Sequence, residues 1–203
     1  MKLYYKPGAC PLASHIALYE AGAAFETEAV DTDTGRTVTG DDFRAINPNG
    51  YVPALRLDDG TILTEGAAVL QLIADRHPES GLAPEAGSFD RARLHEALNW
   101  ISSELHKAFG PLFRSSSTED EQEAARIAVA AKFDRVEAQL SDGRAWLVAN
   151  RFSVADAYLF AVANWANFTA IDLPRWPNLA AFVSRVAERP STQKAMKAEG
   201  LIQ

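Results

Sequence analysis

The chain has 203 residues, 47% of them hydrophobic and 23% charged, the balance of an ordinary globular protein with room for one large core or two small ones. A formal net charge of −7 argues against a surface built for nucleic acid or anionic membranes. No apolar run approaches a membrane span, the first residues read as a strand rather than a leader, and one cysteine makes no internal disulfide, so the cytoplasm is the expected compartment.

In chain order, strands and helices first alternate. MKLYYK sets Leu3 and Tyr5 against Lys2, Tyr4 and Lys6 in strand-like alternation. Gly8 marks a turn, and Leu12, Ile16 and Tyr19 then fall at helical spacing up to Gly22, a helix stop. FETEAVD (25–31) puts Phe25, Thr27 and Ala29 on one side of a second strand. A polar stretch with Gly35 and Gly40 leads to a short helix around 41–46. VPALRLDDGTILT (52–64) reads as a hairpin turning at Asp59-Gly60, where positive φ is tolerated. A helix over about 65–76 carries Val69, Leu70 and Ile73 inward. The order β-α-β-α-β-β-α gives an α/β domain over 1–77, with a parallel pair in front and a hairpin behind.

Residues 78–88, rich in Pro and Gly, form the expected linker, and 89–203 read as helical throughout. Over 89–113 an apolar stripe (Leu94, Leu98, Ile101, Leu105, Ala108, Leu112) runs beside a polar one (His95, Asn99, Ser102, Ser103, His106), and Gly110-Pro111 should bend the end. Thr118 and Glu121 form a capping box for a helix with Val129, Phe133, Val136 and Leu140 inward. Ser153 and Asp156 form a second box, opening a run nearly free of charge that should be the buried central helix. A further helix begins near Pro177, Pro190 stops it, and a short last helix follows Ser191.

Cys10 stands between the first strand and the first helix, with Pro11 suited to the first helical position. A thiol at the positive end of a helix dipole is expected to have a lowered pKa and to be nucleophilic. The alternative is a buried cysteine acting as a small hydrophobe; the strand–turn–Cys–Pro–helix context favours the reactive reading. The four histidines (15, 77, 95, 106) show no zinc-ligand spacing, so no metal is expected, and His15 reads as a hydrogen-bonded structural residue.

Four pieces, in this order, carry a family resemblance: GAC ending at Cys10; NPNGYVPAL (47–55) with LTEGAAVLQ (63–71); the polar stripe ending in His106-Lys107; and FSVADAY followed by RWPNLAAFVSRV. Along essentially its whole length the chain resembles the bacterial beta-class glutathione transferases. The resemblance implies a thioredoxin-like N-terminal domain joined to an all-helical domain that forms an electrophile pocket, and a homodimer. It implies glutathione as co-substrate and a small hydrophobic electrophile as partner. Tyr51, Val52 and Pro53 would meet glutathione, a cis Val52-Pro53 bond freeing the Val52 backbone to pair with the cysteinyl unit. Glu65 and Gly66 would take its γ-glutamyl end at a helix start. Cys10 and His106 would be catalytic, near the glutathione sulfur. Asn99, Ser103 and Lys107 would reach the ligand from the helical domain, Asn99 and its neighbours from the partner subunit. Phe109, Phe113 and Trp165 would wall the electrophile site, although aromatics at helical spacing are more often core.

Two departures qualify this expectation. Many relatives have Ser directly after the cysteine, whereas Pro11 offers neither N–H nor hydroxyl to the sulfur, leaving Leu12, Ala13 and the dipole to stabilise a thiolate. Cys-Pro also opens glutaredoxin-like and omega-class sites, which tilts the reading toward thiol–disulfide exchange. In DTDTGRT (31–37), where relatives commonly place a lysine for the glycine carboxylate of glutathione, Arg36 is the nearest cation. Three functions are thus in play: conjugation of glutathione to electrophiles, thiol–disulfide exchange through Cys10, and non-catalytic binding on the same fold.

Overall fold

The computed structural model describes residues 1–203, which fold as two compact units, Met1–Ala83 with Glu188–Gln203 and Pro84–Ala187. The first unit holds a five-stranded sheet: β1 (Lys2–Tyr5), β2 (Glu26–Asp31), β3 (Arg36–Thr37), β4 (Ala54–Arg56) and β5 (Ile62–Thr64), in the order β3-β2-β1-β4-β5. β1 pairs parallel with β2, Leu3 opposite Thr27, and antiparallel with β4, Leu3 opposite Leu55. Helices α1 (Pro11–Glu20), α2 (Phe43–Ile46) and α3 (Gly66–Arg76) complete the alternating part. The hairpin falls where the sequence predicts it, with Gly60 at φ +86° and Leu57 N donating to Thr61 O at 2.8 Å.

Three details of this unit differ from the simple pattern. Tyr4 is buried together with Leu3 and Tyr5, because β1 is the central strand of a sheet covered on both faces; Tyr4 packs with Val30, Phe43 and Ala54. In β2 the buried residues are Glu28 and Val30, while Thr27 is exposed and Ala29 half-buried. Burial pushes the Glu28 carboxyl up, but hydrogen bonds from Thr39, Thr37 and Lys2 more than reverse this and hold it at about 2. Finally, α1 is buried along residues 11–18 instead of on one stripe, because α10 (Pro190–Ala198) docks on it. The last helix therefore packs with the first unit, where 89–203 had been expected to form one helical body. Arg189 grips Glu20 through Nε and Nη2 at 2.7 and 2.9 Å, and Ser191 also donates to Glu20.

The second unit is all-helical: α4 (Phe89–Trp100), α5 (His106–Ala108), α6 (Gly110–Phe113), α7 (Glu119–Leu140), α8 (Val154–Ala163) and α9 (Pro177–Ala187). Between α4 and α5 the chain makes a π-helical turn, Ile101–Leu105, with His106 N bonded to Ile101 O. The wider turn advances the inward face by one residue. Leu94, Leu98, Ile101 and Leu105 are buried as expected, but the next inward residue is Phe109, and Ala108 and Leu112 are only half-buried. Thr118 and Glu121 close the expected capping box on α7. Glu137, also on α7, accepts from Asn178 N and Leu179 N at 3.1 and 2.9 Å and so caps α9.

α8 is the buried centre of this unit, every residue from Val154 to Ala163 being inaccessible. Fully burying each of its larger apolar side chains contributes about 1.5–3 kcal/mol. Its one acid, Asp156, is enclosed yet satisfied: Oδ1 accepts from Leu147 N at 2.8 Å, and Oδ2 from Ser153 N and Oγ at 2.8 and 2.7 Å. Burial raises its pKa to about 6, the hydrogen bonds from Leu147 and Ser153 opposing the rise. No helix of the protein is long and apolar enough to cross a membrane.

Removing this carboxylate leaves two buried backbone N–H groups unpaired. Asp156→Ala is expected to cost about 2–4 kcal/mol and Ser153→Ala about 0.5–2 kcal/mol, read from urea midpoints. Equal midpoints for wild type and both variants would contradict the capping role.

Candidate active site

The first unit brings Cys10, the Val52-Pro53 bond and the start of α3 to the carboxyl end of β1. Gly8, at φ +72°, turns the chain out of the strand, Ala9 N bonds back to Lys6 O at 3.1 Å, and α1 starts at Pro11. Cys10 itself has helical φ and ψ of −55° and −25° and its side chain does not cap the helix. Its thiol donates instead toward Val52 O, 3.6 Å away. Val52-Pro53 is cis, as the resemblance implies. Asn47 Nδ2 holds the Tyr51 carbonyl at 2.6 Å, while Tyr51 itself is 75% exposed.

Glu65 precedes α3 with φ +67° and ψ +112°. Its side chain is exposed and makes no capping bond to its own helix. An acid at a helix start is commonly there to compensate the dipole, and an uncapped helix start is also a ready site for a carboxylate. Gly66 is half-buried. Arg36, the nearest cation in the 31–37 loop, is exposed and donates through Nη1 to Gly40 O at 2.8 Å.

In the second unit, His106 lies against α8 and the short 3₁₀ segment Asn164–Phe168. Its Nδ1 shares a hydrogen bond with Tyr158 Oη at 2.9 Å, and Trp165 packs edge-on with ring centres 4.9 Å apart. Burial, followed by the charge of Lys107, lowers the His106 pKa to about 4, so the ring is neutral at neutral pH. Asn99, Ser103 and Lys107 are exposed along the same helical run, Asn99 bonding back to His95 O at 2.9 Å.

The aromatics divide. Phe109 has no exposed surface, enclosed by Phe113, Phe133 and Trp165, so it is core and not the wall of a pocket. Trp165 is likewise buried, and only Phe113, 54% exposed, presents a broad face. Tyr158 escaped the sequence reading. The signal was a phenol in an otherwise apolar helix, which needs a hydrogen-bond partner when buried. No three His, Cys, Asp or Glu side chains converge to hold a metal ion.

A thioredoxin-like sheet carrying a cysteine at a helix start opposite a cis-proline loop, followed by an all-helical unit, is the framework of the glutathione S-transferases. Family models agree: the glutathione S-transferase N-terminal domain matches residues 9–76 and the C-terminal domain residues 100–190. The chain is 47% identical over 201 residues to glutathione S-transferase GstA of Escherichia coli O157:H7, covering 99% of this chain and all of that protein. Among solved structures, the beta-class glutathione S-transferase of Sphingomonas chungbukensis superposes with a TM-score of 0.97 at 47% identity, over the full length of both chains. A sphingomonad glutathione S-transferase complexed with glutathione matches with a TM-score of 0.96 at 46% identity, again over both full lengths. The chain belongs to the glutathione S-transferase family and, within it, to the bacterial beta class.

The depressed His106 pKa has a definite sign. Between about pH 4 and pH 6.5 the unfolded chain binds the proton that folded His106 refuses, so this contribution is present above pH 6.5 and is lost as pH falls toward 4. The stability advantage of wild type over His106→Asn, measured by urea titration, should therefore shrink from about pH 7 to about pH 4.5. Asp156, raised and so of opposite sign in an overlapping window, is common to both proteins and cancels. An advantage constant with pH would contradict the depressed pKa.

Proposed function

We propose that this transferase binds glutathione along the Val52 backbone, with the γ-glutamyl carboxylate at the start of α3 and the Glu65 carboxylate on the ammonium. The single observation that carries this is the placement of Cys10 Sγ 3.6 Å from Val52 O, at the start of α1 and beside the loop that enters β4. A peptide-like ligand pairing there would lay its own sulfur beside Cys10. A sphingomonad glutathione S-transferase, 46% identical to this chain and complexed with glutathione, supports the ligand. Conjugation follows by orientation and electrostatics: the protein holds the glutathione thiolate against a small hydrophobic electrophile, and the sulfur displaces or adds while the enzyme is unchanged. The roles of His106, Asn99, Ser103 and Lys107 at the ligand, and the homodimer, rest on the resemblance.

A second activity at the same site is favoured by the position of Cys10 at the start of α1. There the thiolate would attack the glutathionyl sulfur of a mixed disulfide, forming a Cys10–glutathione disulfide and expelling the other thiolate. A second glutathione thiolate would then release oxidised glutathione and restore Cys10.

The two activities separate on one substitution. Cys10→Ser should abolish reduction of a glutathione mixed disulfide and the mass adduct with oxidised glutathione, because serine is too weak an acid to replace a thiolate. Conjugation to an aryl halide should persist at a reduced rate, since a hydroxyl still donates to the glutathione sulfur. Wild-type disulfide reduction by Cys10→Ser would remove Cys10 as nucleophile. Glu65→Ala should stay folded and lose retention on immobilised glutathione; normal retention would misplace the γ-glutamyl end.

A further inference from the structure

Glu199 joins the end of the first unit to the turn in front of Cys10. It follows α10, and its side chain is fully enclosed, as is that of His15. Oε1 pairs with His15 Nδ1 on α1 at 2.9 Å, and Oε2 accepts the Gly8 N–H at 2.9 Å. Enclosing a carboxylate is costly unless it is well hydrogen-bonded, and both oxygens of this one are committed to the Gly8–His15 stretch. The turn's own backbone bond is Ala9 N to Lys6 O at 3.1 Å, and Glu199 adds a second hold on it. Gly8 has φ +72°, and two residues separate it from the start of the helix. Leu201 closes over the same place, its Cδ2 lying 3.4 Å from where a Cβ on Gly8 would be.

We propose that Glu199 is a positioning residue for Cys10: by accepting the Gly8 amide proton and pairing with His15, it fixes the turn that sets the thiol at the start of α1. A bond from a carboxylate to a backbone N–H is of the stronger, charge-assisted kind. The proposal deepens the reading of Cys10 as part of the glutathione site and rests on it. The rival account is that Glu199 merely helps dock α10 on α1, a task it shares with Arg189, which grips Glu20.

The two accounts are separated by amide exchange at Gly8 and by the rate of Cys10 alkylation with iodoacetamide, both read in the intact chain. In Glu199→Ala, exchange at Gly8 should quicken about tenfold beyond the average of the unit, and alkylation at neutral pH should slow about threefold as the thiol leaves its place at the helix dipole. Arg189→Ala should change neither by more than the general loss of stability does. Glu199→Gln, which keeps an acceptor oxygen, should retain about half or more of the wild-type alkylation rate. If Glu199→Ala does not fold, Glu199→Asp keeps the charge but withdraws the oxygens by one methylene, and is expected to show the same two changes. Wild-type exchange at Gly8 and wild-type alkylation in the folded variant would overturn the proposal, as would equal changes in Arg189→Ala. Both expected changes with unaltered glutathione turnover would uphold the positioning role and instead remove Cys10 from the glutathione site.

Discussion

The structure of the first unit depends on the pairing of β1 on both sides, parallel to β2 and antiparallel to β4. That double pairing brings two segments far apart in sequence to one end of the sheet. The residues that leave β1 pass through the Gly8 turn to Cys10, and the residues that enter β4 are Val52 and Pro53. Because Tyr4 stands opposite Ala54 in the register, the thiol and the Val52 carbonyl are neighbours by construction. A shift of one residue in the β1–β4 register would turn every side chain of β4 to the other face and carry the proline loop away from the cysteine. The juxtaposition of the thiol and the proline loop is thus a consequence of sheet geometry, at the carboxyl edge of the parallel pair where α/β folds commonly place their ligands.

Around this frame, three buried carboxylates each gather donors from segments outside their own element. Glu28 gathers Lys2 and Thr39, Asp156 ties the segment at Leu147 to the start of α8, and Glu199 joins α10 to the turn at Gly8. Each joins segments distant in sequence or bridges a loop to a helix end. An enclosed acid is expensive, and what justifies it in all three cases is the number of donors aimed at it. Their pKa directions show the balance: in Glu28 the hydrogen bonds prevail over burial, while in Asp156 burial prevails over the hydrogen bonds. The same competition, without a strong donor set, leaves His106 neutral between Tyr158 and Trp165.

The π-helical turn at Ile101–Leu105 is the main local irregularity of the helical unit. By advancing the inward face by one residue it sends Phe109 into the core, and it sits immediately before His106. Wider turns of this kind are often found at functional sites, and the cost is a poorer hydrogen-bond ladder for one turn. The polar stripe of α4 and the residues after it is therefore not a straight line along one cylinder.

Local pattern alone determined much of this protein. Alternation and helical spacing placed β1, α1, β2, α3, α4 and α7, the Asp59-Gly60 pair located the hairpin, and Ser153 with Asp156 marked the start of α8, because each is a short-range effect within a few residues. The resemblance that names the family was equally legible, since it resides in short motifs around Cys10, Pro53 and Glu65. What only the tertiary structure decided is whatever depends on a partner far along the chain. Burial of Tyr4 and Glu28 follows from coverage of both sheet faces, the inward turn of Phe109 from a π-turn that no residue between 101 and 105 announces, and the pairing of His106 with Tyr158 from the docking of two helices 52 residues apart. The placement of Glu188–Gln203 in the first unit is of the same kind. A short amphipathic helix carries its apolar face in its sequence, but which surface that face covers is set by shape and by polar partners such as Glu20 and His15, which lie at the other end of the chain.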